Sequence, residues 1–276
     1  MNAYLLGFLV VIAASAISVG GMLIVRKTVG VDKLSSFNDV AGNCFQVVGT
    51  FYAVLLGLIV VDAMSSMSDL RVTVDKEANA VCDTYILARG LPEQDRTRIQ
   101  GLCSHYVDVV LEEEWPAMRD GKVSREGIVC VSELWDSLID VKPTTDGEND
   151  IREMCLTNMS QLGDNRRARL IASQHGVDPE IWAVLIIGAI LTVAFSYFLC
   201  LPSLIAQVLM TVVISTTLSL NVYLVYLYGY PLSGPYAIFP EGFMVDRMIF
   251  NMKSSGKTFL PDEKTFSPKK LFEHKR

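Results

Sequence analysis

Charge is missing from long stretches of this 276-residue chain, histidine is nearly absent, and no cysteine stands in a CxxC pair. Each shortage excludes a class of function. The three histidines, His105, His175 and His274, fall in neither HExxH nor another metal-ligand spacing, so no metal enzyme is indicated. The six cysteines (Cys44, Cys82, Cys103, Cys130, Cys155 and Cys200) are scattered. They read as reduced, buried thiols rather than a disulfide frame or zinc site. No GxGxxG, GxxxxGK[ST] or GxSxG segment is present to cradle a phosphate or activate a serine. The expectation is a chain with no catalytic residue, metal or cofactor.

What is abundant is apolar. Hydrophobic residues make up 51% of the chain, and the mean hydropathy is positive, which puts a membrane protein first. Tyr4 to Val25 is broken only by Ser and Gly and stops at Arg26-Lys27, a pair that stays in the polar interface; about 20 residues suit a bilayer core. Ala14-Ser15-Ala16 mimics a signal-peptidase site. No basic segment precedes it, however, and the apolar run continues past it, so an uncleaved helix is expected. The second run, Cys44 to Met64, carries Gly49, Ala53 and Gly57 on one helical face, which suits close helix packing. Thr28 to Asn43 has the composition of a loop, giving a first membrane hairpin. Ile181 to Leu201 and Ser203 to Leu227 form a second hairpin about Pro202. Asp178-Pro179-Glu180 suits the start of its first helix, Trp182 suits the interface, and Tyr223, Tyr226, Tyr228 and Tyr230 form a belt at the end of the last.

The fold class read from this pattern is an all-α membrane protein: residues 1–64 a first hairpin, 65–180 an acidic helical domain, 181–228 a second hairpin, and 229–276 a Pro/Gly segment with a basic tail. Arg26, Lys27 and Lys33 lie in the first hairpin loop, against Arg71, Lys76, Arg166, Arg167, Arg169 and a Lys-rich tail on the other side. The balance orients the middle domain and both termini toward the cytoplasm.

Between Leu55 and Arg89 there is no proline and, after Gly57, no glycine, so the second spanning helix is expected to run on as a rod with Met67, Leu70, Val74, Ala78, Val81 and Tyr85 on one face. Further helices are expected from Leu91 to Trp115, Ser124 to Val141 and Asn149 to Ala172, with a break at Lys142 to Gly147. Residues 65–180 hold 13 Lys and Arg against 22 Asp and Glu, a balance that disfavours nucleic acid and enriches cations. Glu112-Glu113-Glu114 reads as a solvated helix face. Arg166, Arg167 and Arg169 form a basic cluster with three readings, in order: anionic headgroups, pairing with the acidic helices, or contact with a permeating anion.

Two segments offer polar groups inside the membrane. Gln207, Thr211, Ser215 and Ser219 recur every four residues along the last span and need partners or water; Ser and Thr can bond back to their own helix, whereas Gln207 and Asn221 have no such local escape. On the second span Gln46, Thr50, Tyr52, Leu56, Ile59 and Asp62 are candidate pore-lining residues. In an oligomer, copies of Asp62 would form a negative ring that selects cations; alternatively Asp62 simply reaches water at the end of the span.

Several ordered blocks carry a resemblance: Asn38-Asp39-Val40-Ala41-Gly42, the run Val48 to Gly57, Glu77-Ala78, Glu114-Trp115-Pro116-Ala117-Met118, Asp164 to Leu170, and Tyr230-Pro231-Leu232-Ser233-Gly234-Pro235 leading to Pro240-Glu241. Together they make nearly the whole chain resemble the bacterial bestrophin-like family of unknown function. The resemblance implies a likeness to bestrophins, oligomeric chloride channels whose two membrane hairpins flank cytosolic helices and whose pore is lined by the second spanning helix. The chain departs from the family pattern at Met64-Ser65, where a Trp followed by an acid is usual, and at Asp62, where an apolar residue is usual. No acidic calcium clasp of the bestrophin type stands in the tail.

The leading expectation is a homo-oligomeric ion channel, a tetramer or pentamer in a bacterial inner membrane, whose partners are the lipid bilayer and small inorganic ions, with cations favoured over anions. The alternative is a non-conducting scaffold or sensor whose helical domain binds a cytoplasmic partner.

Overall fold

The computed structural model describes residues 3–36, 38–174 and 176–254, and its regular structure is helical throughout. Among the described residues four helices are long and apolar enough to cross a membrane: α1 (Ala3–Val29), α3 (Asn38–Leu87), and the later α8 (Pro179–Ser196) and α9 (Leu204–Tyr228). The segment expected as a loop is mostly helix, because α1 runs to Val29, a short α2 covers Val31–Ser36, and α3 already begins at Asn38. The turn is concentrated at Gly30, whose φ of +88° lies in the left-handed region open to a residue without Cβ.

Without a breaker, α3 continues for 50 residues. At about 1.5 Å per residue this is about 75 Å of helix, well over twice a hydrocarbon core of about 30 Å, so it extends beyond the span as its composition requires. α8 starts at Pro179 with Asp178 before it, as expected, but stops at Ser196 rather than Leu201. The Ser203 side chain then caps α9 by accepting from the Ala206 amide.

Between α3 and α8 lie α4 (Glu93–Val109), α5 (Trp115–Arg119), α6 (Arg125–Asp140) and α7 (Asp146–Gln174). One π turn, Val110–Glu114, joins α4 to α5, and the Trp115 amide reaches back to Val110 O. Pro116 follows directly; it has no amide to give Glu112 and its ring crowds that carbonyl, strain that a wider turn relieves. α7 begins with a reciprocal cap. The Glu148 amide donates to Thr145 Oγ1 at 3.2 Å, while Glu148 Oε2 accepts from the Thr144 and Thr145 amides. These bonds hold the Glu148 carboxyl below its ordinary range.

The chain forms two compact units. The first holds Met1–Thr73, Met118–Gly121 and Ala168–Phe239. In it α1 packs along α9, and α8 packs on both. Tyr52, Leu56, Leu185 and Val225 form a core with Ile59, Val60, Trp182 and Leu218 against it. Arg26, Asn38, Cys200 and Gln207 meet at one end of this bundle, and Ala3, Trp182, Tyr223 and Tyr230 lie at the other.

The second unit holds Val74–Ala117, Lys122–Arg167 and Pro240–Arg276. Its core includes Val74, Ile99, Val107, Leu134 and Leu138. A last helix, α10 (Glu241–Ser254), packs on α4 where the sequence suggested only a Pro/Gly segment and tail. Phe243 and Phe250 are buried, and Phe250 stacks on Tyr85 at 3.9 Å between centroids. Most of the expected basic tail, residues 255–276, lies outside the described residues, as do His175 and His274.

Candidate functional site

The six pore-lining candidates on α3 divide between packed and exposed positions. Tyr52 and Leu56 are only 6% and 4% exposed, and Ile59 packs against the same core. Tyr52 Oη donates to Leu185 O at 2.7 Å, and its ring lies where a Cβ on Gly188 would stand, 2.4 Å away, so Gly188 makes room for it. Their apolar area belongs to the protomer's interior, which corrects the expectation that these three line a pore. Gln46, Thr50 and Asp62 stay exposed.

Gln46, Thr50, Ala53, Gly57, Val61, Met64 and Ser68 follow one another at spacings of three and four, and all seven are exposed. They make one continuous row, about a third of a turn round from the buried one. A Cβ added at Gly49 or Gly57 would meet nothing within 4 Å, so neither packs a helix within the protomer. At 3.6 residues per turn Asp62 stands about a third of a turn from Thr50 and outside this row.

The polar stripe of α9 faces inward. Gln207, Thr211 and Ser215 are buried and Ser219 is half-buried. Ser215 Oγ donates to Ser15 Oγ at 3.2 Å, and Ser15 also shares a 3.1 Å bond with Thr216, so α1 and α9 are sewn together by hydroxyls. Thr211 and Ser219 bond back to Gln207 O and Ser215 O. Asn221, expected to lack a local escape, donates to Thr217 O on its own helix at 2.9 Å.

Gln207 receives a hydrogen bond from Arg26 Nη1, which also donates to Leu201 O at 2.8 Å; Nη2 donates to Pro202 O at 3.2 Å. Asn38 completes this end. Its Nδ2 donates to Cys200 O at 2.8 Å, and its Oδ1 accepts from the Cys200 amide at 2.9 Å. Irregular backbone is tolerated at a membrane only where such partners exist, and Arg26 and Asn38 supply them to the connection between α8 and α9.

A groove of about 600 Å³ opens between α1, α8 and α9, walled by Val10, Ile186, Ile190, Leu218 and Val222 with Ser18 among them. Its apolar walls offer little to replace the water around an ion. The hydroxyl seam therefore holds α1 and α9 together, while Gln46 and Thr50 of the α3 row stay exposed.

In the second unit the basic cluster also comes apart. Glu114 is fully enclosed, and its Oε1 accepts from Arg166 Nη2 at 2.5 Å and from Nε at 3.2 Å. A Cβ on Gly127 would stand 2.3 Å from that oxygen, so the glycine on α6 leaves room for the pair. Glu114 thus departs from the solvated face expected of it, while Glu112 remains outside and takes a hydrogen bond from Arg247. Arg166 follows the second of its three readings, pairing within the acidic helices. In the first unit Arg169 is completely buried, with Nη1 donating to Met118 Sδ at 3.0 Å, out of reach of headgroups. Arg167 is exposed, 3.7 Å from Asp164.

Tyr106 Oη donates to Glu77 Oε1 at 2.5 Å, and both residues are fully buried. Asn38, Glu77, Glu114 and Arg166 all belong to the sequence blocks that carry the resemblance, and each now has a structural partner. Neither curated proteins nor solved structures give a match to the chain. The model of the bestrophin-like domain does match, over residues 12–243. That stretch takes in most of α1, the other three apolar helices and the acidic helices between them, and the chain belongs to the bestrophin-like family.

Proposed function

We propose that this protein is a homo-oligomeric membrane ion channel whose pore is lined by the free face of α3. One observation carries the reading. The row from Gln46 to Ser68 leaves the Gln46 amide, the Ser68 hydroxyl, the Thr50 hydroxyl (which also donates to Gln46 O at 2.7 Å) and the backbone at Gly57 exposed, while the buried part of the α9 polar stripe is taken up inside the protomer. Polar groups facing hydrocarbon are costly, and copies of the chain around a water-filled axis remove that cost. Gln46 and Thr50 then face the ion, and Gly57 and Ala53 let neighbouring α3 helices approach closely.

Asp62, outside the row at the end of the span, adds one negative charge per subunit, which favours cations over anions. In this reading the acidic helical domain and both termini are cytoplasmic, in a bacterial inner membrane, and the tetramer or pentamer of the sequence reading fits a row with small residues at two positions.

Purified protein in liposomes should pass K⁺ faster than Cl⁻. Thr50→Trp should reduce flux at least tenfold by filling the axis. Asp62→Asn should lower the K⁺ to Cl⁻ permeability ratio several-fold without abolishing flux; an unchanged ratio removes Asp62 from selection. Liposomes tight to both ions at every voltage would sink the channel reading and favour the non-conducting scaffold.

A further inference from the structure

His105 on α4 and Glu126 and Cys130 on α6 are brought together in the second unit, although they are far from any ligand motif in sequence. Glu126 and Cys130 are one helical turn apart and so share a face. Across from them His105 Nε2 stands 3.8 Å from Glu126 Oε1, and the ligand atoms of all three lie within 4.8 Å of one another. Cys130 is 1% exposed and forms the floor, while His105 and Glu126 stand open to solvent above it.

Bond lengths of about 2.0–2.1 Å to nitrogen and oxygen and about 2.3 Å to sulfur set the ligand atoms of a tetrahedral zinc site roughly 3.3–3.6 Å apart. The distances here exceed that by no more than about 1.5 Å, and the two side chains that would close the gap are the exposed ones. Donor chemistry selects among cations. Imidazole, carboxylate and thiol suit zinc, whereas calcium and magnesium take oxygen ligands. The carboxylates Glu133, Glu113 and Glu114 also stand near Cys130, and negative charge around a site favours a dication.

We propose that His105, Glu126 and Cys130 form a zinc-binding site, with water as fourth ligand, that ties α4 to α6. On binding, the sulfur–hydrogen bond of Cys130 is replaced by a sulfur–zinc bond, and the proton leaves to the buffer. The site is independent of the channel reading, since none of its residues lies in a span.

Cobalt(II) is the probe, because a thiolate ligand gives it an intense charge-transfer absorption. Full-length protein in detergent should bind one Co²⁺ per chain with that band, and Zn²⁺ should displace it. Cys130→Ser should lose the band, and His105→Ala and Glu126→Gln should each weaken Zn²⁺ binding at least tenfold. The last two change exposed side chains, so they remain informative if Cys130→Ser fails to fold. Zinc should raise the unfolding temperature of the unchanged protein and leave these variants where they were. Absence of the band, its survival in Cys130→Ser, or unchanged affinity in both exposed variants would overturn the site and leave an ordinary surface pair of His105 and Glu126.

Discussion

Glu114 is sealed from water and its Oε1 takes two bonds from one guanidinium, so removing either partner strands a charge in the interior. Glu114→Ala or Arg166→Ala should therefore destabilise the helical domain by about 3–5 kcal/mol. Gly127→Ala should act in the same direction, by about 1–3 kcal/mol, because its Cβ would occupy the space of that oxygen. Arg167→Ala, whose side chain is 74% exposed, should shift stability by no more than about 0.5 kcal/mol. Urea unfolding in detergent followed by tryptophan fluorescence separates the two groups, and equal effects at Arg166 and Arg167 would contradict the assignment. Three adjacent glutamates carry no sequence sign of which one turns inward, because the π turn before Pro116 sets the rotation. Gln207 was legible as a residue in need of a partner, since an amide has no easy bond to its own helix. That the partner would be Arg26, 181 residues away, was not.

At the scale of elements, the four spans were legible because charge within a bilayer is so costly that its absence marks them. The continuation of α3 followed from the lack of any breaker. α10 was hidden for a physical reason: its buried stripe is Phe243, Asp246 and Phe250, and an acid at the centre disguises an apolar face. Asp246 is 5% exposed and its Oδ2 has no hydrogen-bond partner. Burial first, with the Asp83 charge adding and a bond from Cys82 opposing, raises its carboxyl from the ordinary 3.8 to about 7.

A folded value above the unfolded one means that the native unit holds the extra proton. This contribution is full below about pH 4 and is lost as pH rises to about 7. The helical domain should thus be less stable at pH 8 than at pH 5 through this group, by roughly 2–4 kcal/mol. Asp246→Asn should be the more stable protein at pH 8 and should flatten that slope. Melting curves at the two pH values decide it, and a slope unchanged in the variant would show that Asp246 is not its source.

For the molecule as a whole, composition and charge order were enough to give an all-helical chain with four helices apolar enough to cross a membrane, and the sequence blocks were enough to give the family. What they left open was the direction in which each side chain points, because a helix in hydrocarbon can be apolar on every side. Tyr52, Leu56 and Ile59 went to the interior, and the face proposed to line the pore takes in Ala53, Gly57, Val61, Met64 and Ser68 beside Gln46 and Thr50. The family blocks prove largely structural, since Asn38 pins the connection after α8, Glu77 is held by Tyr106, and Glu114 by Arg166.

Cryo-electron microscopy of the detergent-solubilised assembly tests the central claim directly. The account predicts a closed ring of identical subunits with Thr50 and Gly57 of every α3 turned toward the symmetry axis around a continuous polar path. A monomer, or a ring in which that row faces lipid while α9 approaches the axis, would contradict it.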